Sequence, residues 1–278
     1  MRQGTCEYLA SKIWNEPIDF HSRGHNLCKM SLYRGGARFV VFALILLLCN
    51  CKRNTSNTTF LNIGHVVRGH KLEFEVKKYQ TAVGHGYRIF RLKYYVSNFV
   101  LERGDGSIYL VDKVQYCDAR DPETCRFNLG SIPPGTYNKL SFIFGLDETK
   151  NVEGGLENNV VNGNMEWPVP GEKGYHYMKL EGKYDSLNMN VERNFSLHTG
   201  AISNNQNFVR IELELPQLSL GTNDHNINVA MDIDEWLHHP NDYDFGEFGQ
   251  GIMSSQTAQE KLRQNGSDVF RLVSTKKI

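Results

Sequence analysis

Eight of the ten histidines in this 278-residue chain lie beyond residue 60, at positions 65, 70, 85, 176, 198, 225, 238 and 239. Imidazole and thioether donors suit late first-row metal ions, and a soft ion accepts as few as two or three of them. Metal binding is therefore the first chemistry to test. His65 and His70 are an odd number of positions apart, so on one regular strand they point to opposite faces and at most one can serve. His198 alternates with Phe195 and Leu197, which puts it on the other face of its strand, either in solvent or in a second enclosed space. His176 shares a parity with Met178 and Leu180 and reads as core packing. His238 and His239 precede Pro240 in an acidic stretch and read as solvent-exposed.

Other chemistries find less support. Asp232, Asp234 and Glu235, followed by Asp242, Asp244 and Glu247, would suit a hard cation such as Ca²⁺. They lack EF-hand spacing, and a solvated acidic edge is the preferred reading. Paired-carboxylate hydrolysis needs two carboxyl groups about 5–10 Å apart across a cleft, and nothing in the spacing supplies them. No dinucleotide fingerprint, phosphate loop, G-x-S-x-G elbow or H-E-x-x-H pair occurs. No catalytic role is expected. Lys plus Arg equals Asp plus Glu at 31 each, so the formal net charge is zero and a broad basic field for nucleic acid is absent.

The elements that must position these residues read as strands. Runs of β-branched and aromatic residues at 71–77, 87–102, 107–112, 137–145, 175–184, 195–198, 208–215 and 227–234 are separated by Gly, Asn, Asp and Pro. Arg103-Gly104-Asp105-Gly106 is a hairpin signal, and Pro133-Pro134-Gly135 marks another connection. The pattern predicts an all-β fold, a β-sandwich or Greek-key barrel. Only Ser254–Gln264, rich in helix formers with Gly266 beyond it, predicts a helix, which makes it a short C-terminal one.

The N-terminal part is different. The apolar run Phe39–Leu48 follows Arg34 and Arg38 and is too short for a bilayer span of roughly 20 residues, but it has the anatomy of an export signal. Residues 1–29 then read as an over-extended start and residues 30–51 as a signal peptide with a lipoprotein-type cysteine. Cys51 is the preferred lipidation site and Cys49 the alternative. A Ser/Thr/Asn linker at 52–60 leads into a domain at 61–278. In an exported chain the remaining pair, Cys117 and Cys125, is expected to form a disulfide, the alternative being a soft-metal thiolate site.

Four segments resemble the MbnP-like copper-binding family of bacterial exported proteins. They are Phe90–Leu101 (FRLKYYVSNFVL), Pro133–Tyr137 leading into Leu140–Asp147, the series Met165-Glu166-Trp167, Gly174-Tyr175, Leu180-Glu181-Gly182 and His198-Thr199-Gly200, and Asn265–Phe270. The resemblance implies a β-sandwich holding one copper ion, as Cu(I), through histidines and a tryptophan that a partner dihaem peroxidase-like enzyme oxidises to kynurenine. It also implies a neighbouring outer-membrane transporter, a location in the periplasm or at the outer membrane, and no turnover by the chain itself. The ligand set expected is His65, His198 and Trp167. Where relatives carry a second tryptophan, two residues after the first, this chain has Val169. The competing expectation is a metal-free accessory lipoprotein that binds a transporter or a polymeric ligand, with those side chains scattered.

Overall fold

The computed structural model describes residues 57–278 except 169–172, 188–190 and 249–250. The expected export segments with Cys49 and Cys51, and the substituted position Val169, lie outside the described residues.

Twelve strands follow one another: β1 (Thr59–Val67), β2 (His70–Lys71), β3 (Tyr79–Gln80), β4 (Gly86–Arg103), β5 (Ile108–Asp118), β6 (Arg126–Gly130), β7 (Gly135–Phe144), β8 (Met178–Asp185), β9 (Glu192–Thr199), β10 (Val209–Leu220), β11 (His225–Asp232) and β12 (Phe270–Lys277). They form two sheets. One runs β12-β11-β1-β2 with β6 also on β1, and the other runs β10-β7-β4-β8-β9 with β3 and β5 also on β4. β1 and β11 are parallel, and the other strand pairs among the described residues are antiparallel. The sheets enclose one aromatic-rich core, with Leu61, Ile63, Ile227 and Met231 from one and Tyr94, Leu180, Leu197 and Phe144 from the other. The expected β-sandwich is what forms.

β4 carries the second sheet, and its burial explains why its sequence does not alternate cleanly. Tyr87 and Ile89 face the core, then Leu92, Tyr94 and Val96, then Phe99 and Leu101. The phase changes where the ladder shifts register, between Ile89 and Arg91 against β8 and between Ser97 and Phe99 against β5. Asn98, at the second shift, has φ 56°. Each extra residue flips the side chains that follow, so two bulges keep an 18-residue strand apolar on one side.

Several elements differ from the sequence expectation. β1 starts at Thr59, inside the stretch read as linker. Of the strand expected over 71–77 only Lys71 pairs. β6 and β12 were not anticipated. Arg68 and Gly69, at φ 50° and 78°, make the two-residue turn between β1 and β2. His65 and His70 therefore lie on different strands, and the parity argument does not apply to them; His70 is simply exposed on β2.

The helix Gln256–Asn265 closes the chain before β12. Ser255 Oγ accepts the Ala258 N–H at its start, and Ala258, Gln259, Leu262 and Asn265 form its buried face.

Gly182, inside β8, sits where the ladder leaves no room for a side chain. An added Cβ would lie 2.0 Å from the Arg88 carbonyl oxygen and 2.6 Å from Phe195 Cζ. Gly182→Ala is expected to lose about 3 kcal/mol in a urea titration, the upper range for overpacking a core. An unchanged midpoint would contradict this packing.

Candidate metal centre

His198 lies on β9 between Leu197 and Thr199, which are buried, so it projects to the outer face of the seven-stranded sheet. On the adjacent β8, Ser196 pairs with Glu181 and His198 with Lys179. The diagonal brings His198 Nε2 to 2.9 Å from Glu181 Oε1, while Arg91 Nη1 donates to Oε2 of the same carboxylate at 2.6 Å. The hydrogen bond from His198, reinforced by Arg91, holds the Glu181 carboxyl down at about 2 against the opposing effect of burial. A carboxylate only accepts, so Nε2 carries the proton and the lone pair of the neutral ring is on Nδ1.

The outer face is roofed by the segment between β7 and β8. Within it, residues 165–167 and 174–176 form a short antiparallel pair. Glu166 bridges Tyr175, Trp167 N–H donates to the Gly174 carbonyl at 2.9 Å, and His176 N–H donates to the Met165 carbonyl at 2.7 Å. Gly174 has φ 100°, and a Cβ there would meet Asn151 Oδ1 at 2.2 Å, so this position admits only glycine. Tyr95, Leu146, Met165, Tyr175 and Tyr177 pack beneath the roof as a second apolar cluster.

This pair sets His176 beside His198. Their ring centroids are 5.0 Å apart, edge to face, and the Trp167 ring centroid lies 4.7 Å from that of His176. His176 Nδ1 donates to the Met165 carbonyl at 3.0 Å, which leaves the lone pair on Nε2. That Nε2 is buried without a hydrogen-bond partner among the described residues, and so is Trp167 Nε1. Desolvation drives the His176 pKa down to about 3, so the ring is neutral throughout the physiological range. The indole lies over Gly200, where a Cβ would come within 2.7 Å of Trp167 Cε3 and Cζ3. One edge of Trp167 lines a surface cavity of about 150 Å³ together with Glu153, Glu166, Lys173 and Tyr175.

A wholly buried glutamine on the C-terminal helix fixes the end of β9. Gln259 Nε2 donates to the His198 carbonyl at 2.8 Å, and its Oε1 accepts the Gly200 N–H at 3.2 Å. Asn207 adds a bond to the Gly200 carbonyl at 2.7 Å.

Of the three expected ligands, Trp167 and His198 therefore flank one imidazole, and His65 is not with them. β1 belongs to the other sheet, and His65 points into the sandwich, where its Nε2 is 2.9 Å from Tyr94 Oη and 3.9 Å from Cys117 Sγ. Burial lowers its pKa to about 4. The histidine found beside Trp167 and His198 instead is His176, which by sequence reads as core packing. It is buried, but a bend at Tyr177 breaks the alternation with Met178 and turns it to the outer face. Its position just after Gly174-Tyr175, facing Met165-Glu166-Trp167, was the available signal. Glu181 and Gln259 could be identified only from cross-strand and helix–sheet contacts.

The remaining candidates have structural partners. His85 joins the Asp185 carbonyl and Asp244, and His225 joins the Asn223 carbonyl. Asp232 accepts the backbone N–H groups of Arg68 and Gly69, and Asp234 pairs with Arg68 at 2.7 Å. These carboxylates cap the β1–β2 turn rather than form a solvated edge. His238 and His239 are exposed and pair with Asp242 and Asp268. Cys117 and Cys125 are joined as a disulfide.

Residues 56–254 match the family model described as MbnP. A solved structure, MbnP from Methylosinus trichosporium, is similar at 13% identity and a TM-score of 0.49, over 80% of this chain and 98% of that one. No curated protein matches.

His176 and His65 are both held neutral in the fold and regain ordinary basicity on unfolding. The unfolded chain then binds more protons, so this stability is fully present above about pH 6.5 and is lost as pH falls towards 4 and then 3. Glu181 adds a loss in the same direction below about 4.5. Unfolding free energies of metal-free protein from urea titrations should fall from about pH 6.5 to pH 4, by roughly 1.4 kcal/mol per pH unit for each histidine. His176→Gln should remove about half of that slope between pH 6 and 4.

Proposed function

The chain belongs to the MbnP family, and from that premise we propose that it is an exported copper-binding protein that holds Cu(I) between His176 Nε2 and His198 Nδ1. It sequesters or delivers the ion without turnover of its own. The observation that carries the reading is the paired state of the two imidazoles. Each has its other ring nitrogen tied to an acceptor, Met165 O for one and Glu181 for the other. That arrangement fixes tautomer and ring orientation as the outer shell of a metal centre does. Two or three soft or borderline donors satisfy monovalent copper, and the His176 Nε2 lone pair has no hydrogen-bond partner among the described residues.

Trp167 is the residue on which a partner oxidant of the dihaem peroxidase-like class would act, giving kynurenine beside His176. The leader-like run at Phe39–Leu48 and Cys51 support export and a lipid anchor, which would hold the protein at the periplasmic or outer membrane, next to an outer-membrane transporter. The metal-free accessory reading is the weaker one. It has no use for two oriented imidazoles and a buried indole gathered at one place.

Protein purified from its copper-replete native host, taken through metal analysis and peptide mass mapping, tests the reading. One copper per chain and a kynurenine-sized mass change on the Trp167 peptide are expected. His176→Ala should abolish copper retention, and Glu181→Gln should weaken affinity roughly 10–100-fold while leaving the ligands in place. A copper-free chain with unmodified Trp167 would overturn it.

A further inference from the structure

We infer that His65, Cys117 and Cys125 form a second, redox-gated metal site, which takes a soft closed-shell cation of the Zn²⁺ or Cu⁺ class once the disulfide is reduced. The site is separate from His176 and His198, and the inference does not rest on the copper reading.

The donor atoms of the three residues all lie within 4.8 Å of one another. A tetrahedral ion with metal–sulfur bonds of about 2.3 Å and metal–nitrogen bonds of about 2.0 Å needs its donors roughly 3.5–3.8 Å apart. His65 Nε2 is already 3.9 Å from Cys117 Sγ. The two sulfurs have to part; both side chains are buried in the core, and the turn that joins them is exposed at residues 120–123.

The backbone keeps the three residues in place without the bond. Cys117 is laddered to Tyr94 in β4, Arg126 next to Cys125 is laddered to Asn62 in β1, and His65 is paired with Met231 of β11. The disulfide therefore joins the edge of one sheet to the start of a strand in the other, with β1 presenting an imidazole to it. Tyr94 Oη, 2.9 Å from the same His65 Nε2, holds that nitrogen in the oxidised chain, so the ion takes the place of this hydrogen bond when it binds. A disulfide that only braced two sheets would need no imidazole at its sulfur.

The chemistry balances with a dithiol as reductant. The S–S bond breaks as two electrons and two protons pass from the dithiol to Cys117 and Cys125, and the dithiol closes to its own disulfide. Binding of the cation then releases the thiol protons as two Sγ–metal bonds form, with His65 Nε2 as third donor. Exchange with an oxidised dithiol carrier reverses the sequence: the two thiolates pass two electrons to the carrier's disulfide, the Cys117–Cys125 bond re-forms and the ion leaves. The oxidised chain thus keeps the site closed.

The test uses the full-length chain, reduced with a phosphine that is then removed under anaerobic conditions, and titrated with Co²⁺ as a spectroscopic stand-in for Zn²⁺. A thiolate-to-cobalt charge-transfer band saturating at one equivalent is expected, displaced by Zn²⁺ and absent from the oxidised chain. His65→Gln should weaken Co²⁺ binding at least tenfold, and Cys117→Ser/Cys125→Ser should abolish the band. His198→Ala should leave it unchanged, which separates this site from the proposed copper centre. Far-UV circular dichroism on the same samples monitors the fold. A reduced, folded chain without the band, a band indifferent to His65→Gln, or a reduced chain that has unfolded would each overturn the inference.

Discussion

The carbonyl of Met165 accepts twice from His176, once from its backbone N–H at 2.7 Å and once from Nδ1 at 3.0 Å. The backbone bond is one rung of the short pair between residues 165–167 and 174–176, and the side-chain bond decides which nitrogen of the ring is free. The same local pairing thus positions the roof over the sheet and sets the tautomer beneath it. Trp167, two residues after Met165, is set against the ring by the next rung, its own N–H to Gly174 O. If the pairing slipped by one residue, His176 and Trp167 would change faces and Nδ1 would lose its acceptor.

The seven-stranded sheet serves two compartments because its strands alternate. Leu180 and Leu197 build the inner core, and Glu181 and His198, one residue along each strand, build the outer site. The sheet's rigidity is thereby lent to the site: moving His198 would require moving Leu197 within a close-packed interior. On the side away from the roof, Gln259 bridges His198 O and Gly200 N–H, so the C-terminal helix restrains the strand end where the histidine sits. Loops alone would hold such a pair of rings less well.

Much of the sandwich was legible in the sequence, since period-2 runs and turn residues marked β4, β7, β8, β9, β10, β11 and the helix before Gly266. β1 was missed because Asn57, Thr58 and Thr59 look like a polar linker, yet Asn57 and Thr59 are buried: Thr59 pairs with His225 and Gly130, and Asn57 bonds the Gly221 carbonyl. With β1 unread, His65 could not be assigned to the opposite sheet, and its place in the expected ligand set rests on the resemblance alone. His198 was placed on the correct face by alternation alone. His176 was not, because every residue from Gly174 to Met178 is buried and burial on both faces erases the period that alternation depends on. The bend that turns it outward is a property of the roof packing against Tyr95, which is non-local.

The buried groups left without partners bear on the choice between a metal carrier and a metal-free module. A buried polar atom with no hydrogen bond costs about 1–3 kcal/mol, and here two such atoms, His176 Nε2 and Trp167 Nε1, belong to rings in contact. A fold with no ligand to receive could remove both costs by placing apolar side chains in the same space. It could also drop Glu181, whose burial is tolerated only because His198 and Arg91 compensate for it. A metal ion offsets the first cost directly, by using the lone pair that no donor reaches. Glu181 then acquires a purpose as well, since a carboxylate behind an imidazole raises its basicity towards the ion. The Trp167 indole N–H beside His176 is not satisfied by such an ion; on the proposed copper reading, an oxidant that opened the indole would convert this unsatisfied donor into a new polar ligand.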